Sequence, residues 1–148
     1  MEKPTNTHKK WVELQANSAE ANAGVIYKAK HIDFPSSLVI RRLTKKLAKD
    51  FDIKTLPEKL TQAFSKKAIN FKIVSSGLVK VGSFQAAQIR YEQLDSRSNK
   101  TFDNLVISLP MKWQTFHIAF RAEKSDFKTG EKDILKITRE FLKSIFLQ

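Results

Sequence analysis

Between Phe71 and Ala122 apolar residues recur at every second position, broken only by short polar or glycine-containing stretches, and that period belongs to paired strands. Phe71, Ile73, Val79 and Val81 share one parity on either side of Ser75-Ser76-Gly77, where a bulge or tight turn is predicted. Ala87, Ile89 and Tyr91 are predicted to face inward, against Gln88, Arg90 and Glu92 on the other side. Residues 95–100 read as a hairpin loop, and Leu105, Ile107, Leu109 and Met111 continue the inward set. Residues 110–114 reverse the chain, and Phe116, Ile118, Phe120 and Ala122 complete it. Long strands joined by loops this short pair antiparallel, as a meander.

The flanking segments supply the rest of a domain. Trp11-Val12-Glu13-Leu14 reads as a short strand or anchor, and residues 15–24 as a loop. Val25, Tyr27 and Ala29 then alternate with Lys28 and Lys30, Phe34-Pro35-Ser36-Ser37 turns the chain, and Leu38–Leu43 is a second strand. Thr55, followed by Pro57 and Glu58, predicts a helix opening on a capping box, with Leu56, Leu60, Ala63 and Phe64 on one side as far as about Lys67. Residues 44–52 are either a further helical turn or a basic connection. Ile134, Leu135, Ile137, Thr138, Phe141, Leu142 and Ile145 predict a closing helix over Asp133 to Phe146. The expected fold is α+β: an antiparallel sheet packed on one face by two helices, a two-layer sandwich. Residues 1–10 are expected to be a flexible tail, and 11–148 a single domain.

At this point the order of elements resembles a known family. It runs from a Trp near the start through Ser37-Leu-Val-Ile-Arg-Arg42 and Leu56-Pro-Glu-Lys-Leu60 to Val79-Lys-Val-Gly82-Ser-Phe-Gln-Ala86-Ala87 leading into Tyr91. A long hairpin and a terminal Phe141-Leu-Lys-Ser-Ile145-Phe146 finish it. This layout is similar to the PsbP-like family, named for an extrinsic photosystem II subunit and sharing its fold with the Ran guanine-nucleotide release factor. In that family a Gly, a small residue and an aromatic open the central hairpin, as Gly82, Ala87 and Tyr91 do here. The resemblance spans roughly residues 11 to 146, and its motifs concern packing, so it transfers no catalytic residue. It implies a non-enzymatic protein, often an exported lipoprotein or a subunit of a larger complex.

Charge and residue counts narrow the chemistry. The 148 residues carry 27 Lys and Arg against 15 Asp and Glu, a formal charge of +12. The absence of cysteine excludes disulfides, Cys-based zinc or iron–sulfur centres and thiol nucleophiles, and it leaves the compartment open. No apolar run is long enough to span a bilayer. The polar opening over residues 1–10 is either a native terminus or the stretch left once a signal or lipid-anchor segment has been removed. With the resemblance, the expectation is an extracytoplasmic protein, periplasmic or membrane-anchored, with a cytoplasmic one as the alternative.

Lys128, Lys132, Lys136, Arg139 and Lys143 follow one another at spacings of 4, 4, 3 and 4, so on a helix they form a basic ridge almost opposite the apolar stripe. Such a ridge suits an acidic protein surface or an anionic envelope, and the plain alternative is a solvated face with Asp133 and Glu140 near Lys132 and Lys143. A second basic run from Arg41 and Arg42 to Lys67 holds nine cations and three carboxylates, half of the net charge. It lacks interleaved aromatics and helix-turn-helix spacing, which counts against nucleic acid. Trp113, in the turn beside Met111 and Lys112, either anchors a partner or folds over the sheet end.

His8, His31 and His117 stand in no metal-ligand spacing, and no cofactor or metal site is expected. His117 is predicted on the outer face with Arg90 and Glu92. No carboxylate pair or nucleophile motif marks an active site. The expected function is therefore non-enzymatic docking onto a protein or envelope partner. A cytosolic binding protein for nucleic acid or a small GTPase is the competing reading.

Overall fold

The computed structural model describes residues 10–67 and 70–146, the side chains of 67, 145 and 146 excepted. Of the tail expected over residues 1–10, Lys10 alone is described, its carbonyl accepting from the Ile32 amide at 2.8 Å and its ammonium pairing with Asp33 at 2.9 Å; residues 1–9, and the side chains of Lys67, Ile145 and Phe146 in the predicted patterns, lie outside the described residues. The elements are β1 (Trp11–Glu13), α1 (Ser18–Asn22), β2 (Val25–His31), β3 (Ser36–Leu43), a 3₁₀ turn (Ile53–Thr55), α2 (Leu56–Lys67), β4 (Phe71–Val81), β5 (Phe84–Asp95), β6 (Lys100–Pro110), β7 (Thr115–Glu123) and α3 (Phe127–Phe146). All seven strands join one antiparallel sheet in the order β1-β2-β3-β7-β6-β5-β4.

The predicted meander is present and one strand longer, because β4 runs without interruption to Val81. The bulge or tight turn expected at Ser75-Ser76-Gly77 is a bulge one residue earlier: the register slips between Ile73 and Ser75, leaving Val74 unpaired and 50% exposed, while Ser75, Ser76 and Gly77 pair in step with Arg90, Ile89 and Gln88. Gly82 and Ser83 then close a two-residue hairpin between the paired Val81 and Phe84. Gly82 takes a positive φ of 63° there, which its missing Cβ permits.

The helices do not share one face. Arg90 and Tyr91 are consecutive on β5 and therefore point to opposite sides. The Arg90 guanidinium lies 4.5 Å from the Phe127 ring of α3, while the Tyr91 ring lies 5.4 Å from Phe64 of α2. The sheet thus has α3 on one face and α2 on the other, three layers where two were expected. The cause is the connection from β3 to β4. To reach the far edge it must pass β7, β6 and β5, about 19 Å at ~4.8 Å per strand, and residues 44–67 make that crossing over the second face.

The inward set is corrected in the same way. Leu105, Ile107, Leu109, Phe116, Ile118, Phe120 and Ala122 form the main core with α3, together with Leu38, Ile40, Tyr27 and Trp11. Ala87, Ile89 and Tyr91 belong to the α2 side, where Phe64, Phe71 and Tyr91 make a ring cluster with centroids 4.4 to 6.4 Å apart. Arg90, expected outside, faces α3. It stands between Asp103 at 3.6 Å and Glu131 at 3.4 Å.

Several local readings also shift. The loop expected over 15–24 contains α1, opened by a capping box in which Asn17 Oδ1 accepts from the Glu20 amide and Glu20 Oε1 from the Asn17 amide. At α2, Thr55 donates its hydroxyl to the Asp52 carbonyl at 2.8 Å, Asp52 caps the preceding 3₁₀ turn through the Lys54 amide, and Ala63 is exposed. Residues 44–52 form no helix and enter the 3₁₀ turn directly.

Helix α3 begins at Phe127, six residues before the predicted start. Gly130 reads as a helix breaker, costing ~1 kcal/mol against Ala. Yet Phe127, Ile134, Ile137 and Phe141 are each at most 1% exposed, and burying each such side chain contributes about 1.5–3 kcal/mol, so packing outweighs propensity. Gly130 is also required: a Cβ there would lie 2.4 Å from Phe120 Cζ.

Candidate functional site

The predicted ridge exists as a surface. Lys128, Lys132, Lys136, Arg139 and Lys143 are all exposed, and they lie on α3 away from Phe127, Ile134, Ile137 and Phe141. From first to last they extend about 22 Å at ~1.5 Å per residue. None of the five takes part in an ion pair among the described residues. Asp133, a predicted neighbour of Lys132, instead accepts a hydrogen bond from the Trp11 indole at 2.9 Å. Glu131 is engaged by Arg90. The ridge charge is therefore directed outward, where its attraction for an anionic surface is felt within roughly 10 Å at ordinary salt.

The end of the ridge meets apolar surface. Arg139 and Lys143 border a cavity of about 430 Å³ whose remaining walls are Leu142 and the β4–β5 turn, from Val81 to Phe84. Phe84 is 39% exposed there. The sequence signal for this notch was the Gly82-Ser83 turn, but only the fold brings it beside α3.

Arg41, Arg42 and Trp113 are not on α3: Arg41 pairs with His117 and Arg42 with Phe116 at the start of β7, beside the β6–β7 turn that carries Trp113, at the same sheet end as the β4–β5 turn. The backbone of Arg42 is fixed by its amide, which donates to the Gly24 carbonyl at 2.9 Å. Gly24 sits at φ +92°, where a Cβ would come 2.6 Å from the Arg42 carbonyl oxygen. Trp113 is 61% exposed, with Lys46 Nζ 5.0 Å and Lys112 Nζ 5.5 Å from its ring centroid. The Leu47 amide donates to the Lys112 carbonyl at 3.0 Å, which ties the 44–52 segment to this turn.

Beneath that segment, on the α2 face, is a cavity of about 480 Å³. Sequence reasoning missed it, because its walls come from distant parts of the chain. Ser108 and His117, partners across β6 and β7, form its floor, and Arg41 pairs with His117 from β3. Burial, and secondarily the Arg41 charge, hold the His117 imidazole below its ordinary pKa of 6.5. His117 was predicted beside Arg90 and Glu92, but those two residues belong to the opposite face. Among the described residues no hydrogen bond joins Ser108 to His117 and no carboxylate orients the imidazole, so as described the pair lacks the geometry of a nucleophile and its base. His31 is structural: its Nδ1 accepts from the Asp33 amide, and its ring stacks on Phe34 at 4.3 Å.

Among the described residues no group of three or more His, Asp or Glu is placed to hold a metal, and no helix is long and apolar enough to cross a membrane. No protein-family model matches this sequence, and no curated protein matches it. Solved structures do. LpqN of Mycobacterium tuberculosis, involved in cell envelope biogenesis, superposes with a TM-score of 0.60 at 14% identity, covering 95% of this chain and 78% of that one. PA94 of Pseudomonas aeruginosa, a protein of unknown function, gives 0.58 at 11% identity over 87% and 78%. The cyanobacterial PsbP of Synechocystis gives 0.54 at 9% identity over 87% and 79%. At such identities the likeness speaks for architecture and not for activity. With its seven-stranded antiparallel sheet, its α+β composition and these three likenesses, the chain has the PsbP-like fold.

Proposed function

We propose that this chain is a non-catalytic docking domain that acts outside the cytoplasm, on a protein or envelope surface of net negative charge. The observation that carries the reading is the α3 ridge: five exposed cations on one helix, none in an ion pair among the described residues, ending at the apolar notch of Phe84 and Leu142. Charge steers the encounter and the notch gives it a place to bury apolar surface. The structural likeness to an envelope-biogenesis protein supports the extracytoplasmic setting.

The test is charge reversal at Lys132, Lys136 and Arg139 together, measured by cosedimentation with vesicles containing anionic lipid and by pull-down from an envelope extract. Wild type is expected to bind in one of these arms with an affinity that falls with salt, and the triple variant to lose that binding while its circular dichroism is unchanged. Equal binding by both proteins would overturn the reading, as would a hydrolase activity of the purified domain that disappears on His117→Ala. Retention on duplex or single-stranded nucleic acid well above physiological salt, with no binding in either envelope arm, would replace it by the nucleic-acid reading.

A further inference from the structure

The cavity on the α2 face is independent of the ridge and has a chemistry of its own. One wall is aliphatic and aromatic: Leu43, Leu47, Phe51, Leu56 and Leu60 converge on it from the end of β3, the 44–52 segment and α2. Its charged lining is of one sign. Lys45, Lys46 and Lys59 are exposed at its edge, and no Asp or Glu lines it. Two polar groups on its floor, the Ser108 hydroxyl and the His117 imidazole, make no hydrogen bond to any described residue, and Arg41 lies next to His117 across the β3–β7 pair. At about 480 Å³ the space falls in the ~300–1,000 Å³ range of small-molecule sites.

An apolar wall, a cationic rim and free donors on the floor are the three complements of one ligand type. We infer that this cavity is a binding site for a single-chain amphiphile with an anionic head group, a carboxylate or a phosphate. The alkyl chain lies along Leu43, Leu47, Phe51, Leu56 and Leu60, and the lysines hold the head. A cationic amphiphile is rejected because no carboxylate offers it a partner and three ammonium groups repel it. A neutral alcohol of the same chain length keeps the apolar contacts and loses the ion pairs. The crossing segment that builds the wall is needed by the fold in any case, since β3 must reach β4. Its composition is not: a covering connection has no structural need for lysines on both sides of the apolar Leu47.

The experiment is displacement of the anionic fluorophore 1-anilinonaphthalene-8-sulfonate from the whole chain by decanoate, decyl phosphate, decanol and decyltrimethylammonium, each below its micelle concentration. Decanoate or decyl phosphate is expected to displace it saturably at one site, at least tenfold more tightly than decanol, with no displacement by the cation. Whichever of the two anions is tighter identifies the head group. K45E/K46E, which changes only exposed side chains, is expected to weaken the anion at least tenfold. Ser108→Leu, which fills the floor, is expected to abolish binding. Reversal at Lys136 and Arg139 is expected to leave it unchanged, so failure here and failure of the ridge reading are separately visible. Displacement by the cation as strong as by the anions, no saturable displacement by either anion, or K45E/K46E binding like wild type would each overturn the assignment.

Discussion

The indole N–H of Trp11 donates to Asp133 Oδ2 at 2.9 Å, joining residues 122 positions apart in the chain. β1 is a three-residue edge strand paired only with β2, and that alone would hold it weakly. Trp11 adds the missing attachment: it is 8% exposed, with its ring edge-on to His31 at 5.1 Å and to Phe120 at 5.8 Å. The same bond orients Asp133 toward the sheet, and Glu131 is held by Arg90, so both carboxylates adjacent to Lys132 in sequence are committed elsewhere.

Trp11→Phe keeps most of the ring and removes the donor. A hydrogen bond to a charged acceptor is worth about 1.5–3 kcal/mol, and the variant should lose that order of stability in urea unfolding. Asp133→Ala should lose a similar amount, and the double variant less than the two together, since both remove one interaction. Hydrogen exchange should rise at β1 before it rises at β6. Strict additivity would show that the bond contributes nothing in solution.

Gly130→Ala tests the contact between α3 and the sheet. Ala is the better helix former by ~1 kcal/mol, so propensity alone forecasts stabilisation. A Cβ 2.4 Å from Phe120 Cζ forecasts the reverse, and overpacking of a filled core typically costs about 1–3 kcal/mol. The expected result is a lower unfolding midpoint that is recovered in part by Phe120→Leu. A midpoint raised by Gly130→Ala would mean that α3 can shift outward at no cost.

Arg90 is the cation that holds Asp103, whose Oδ1 is buried without a hydrogen-bond partner among the described residues. Its guanidinium also covers Phe127 and reaches Glu131. Arg90→Met preserves the stem packing and strands the carboxylate. Removing one partner of a buried pair costs about 3–5 kcal/mol, and with Arg90 27% exposed the lower end is expected. Adding Asp103→Leu should restore most of the loss. If Arg90→Met is neutral, water already solvates Asp103.

Legibility in the sequence depends on how many faces an element buries. β7 alternates strictly, and its apolar positions Phe116, Ile118, Phe120 and Ala122 are those found in the core. β6 carries the run Leu105-Val-Ile-Ser-Leu109, buried at every position, and β5 has both Ala86 and Ala87 at 0% exposure. Those runs are the mark of strands covered on two sides, and reading them as one inward set merged the two faces. Here lies the reason that Arg90 and His117 were placed together. The ridge was legible because it depends only on spacing within one helix. The Ser108–His117 cavity was not, since its lysines and its floor meet only through a crossover that the sequence leaves without regular structure.

His117 gives a pH dependence whose sign is fixed by its surroundings. Burial first, and Arg41 second, lower its pKa in the folded chain below the ordinary 6.5. The unfolded chain therefore binds the proton more readily, so the His117 contribution is fully present above about pH 6.5 and is lost as pH falls through the folded value. Glu20, Asp33, Glu92 and Asp95, held below their ordinary values first by hydrogen bonds and then by neighbouring cations, withdraw their contributions only at lower pH, beginning near the carboxylate range. The two windows are separate enough to distinguish. Urea unfolding of wild type and His117→Asn at intervals from pH 8 to 5 should give parallel stabilities above about pH 6.5 and a wild type that declines relative to the variant below it. Curves that stay parallel down to pH 5 would place the imidazole in water in the folded chain, and with it the floor of the cavity.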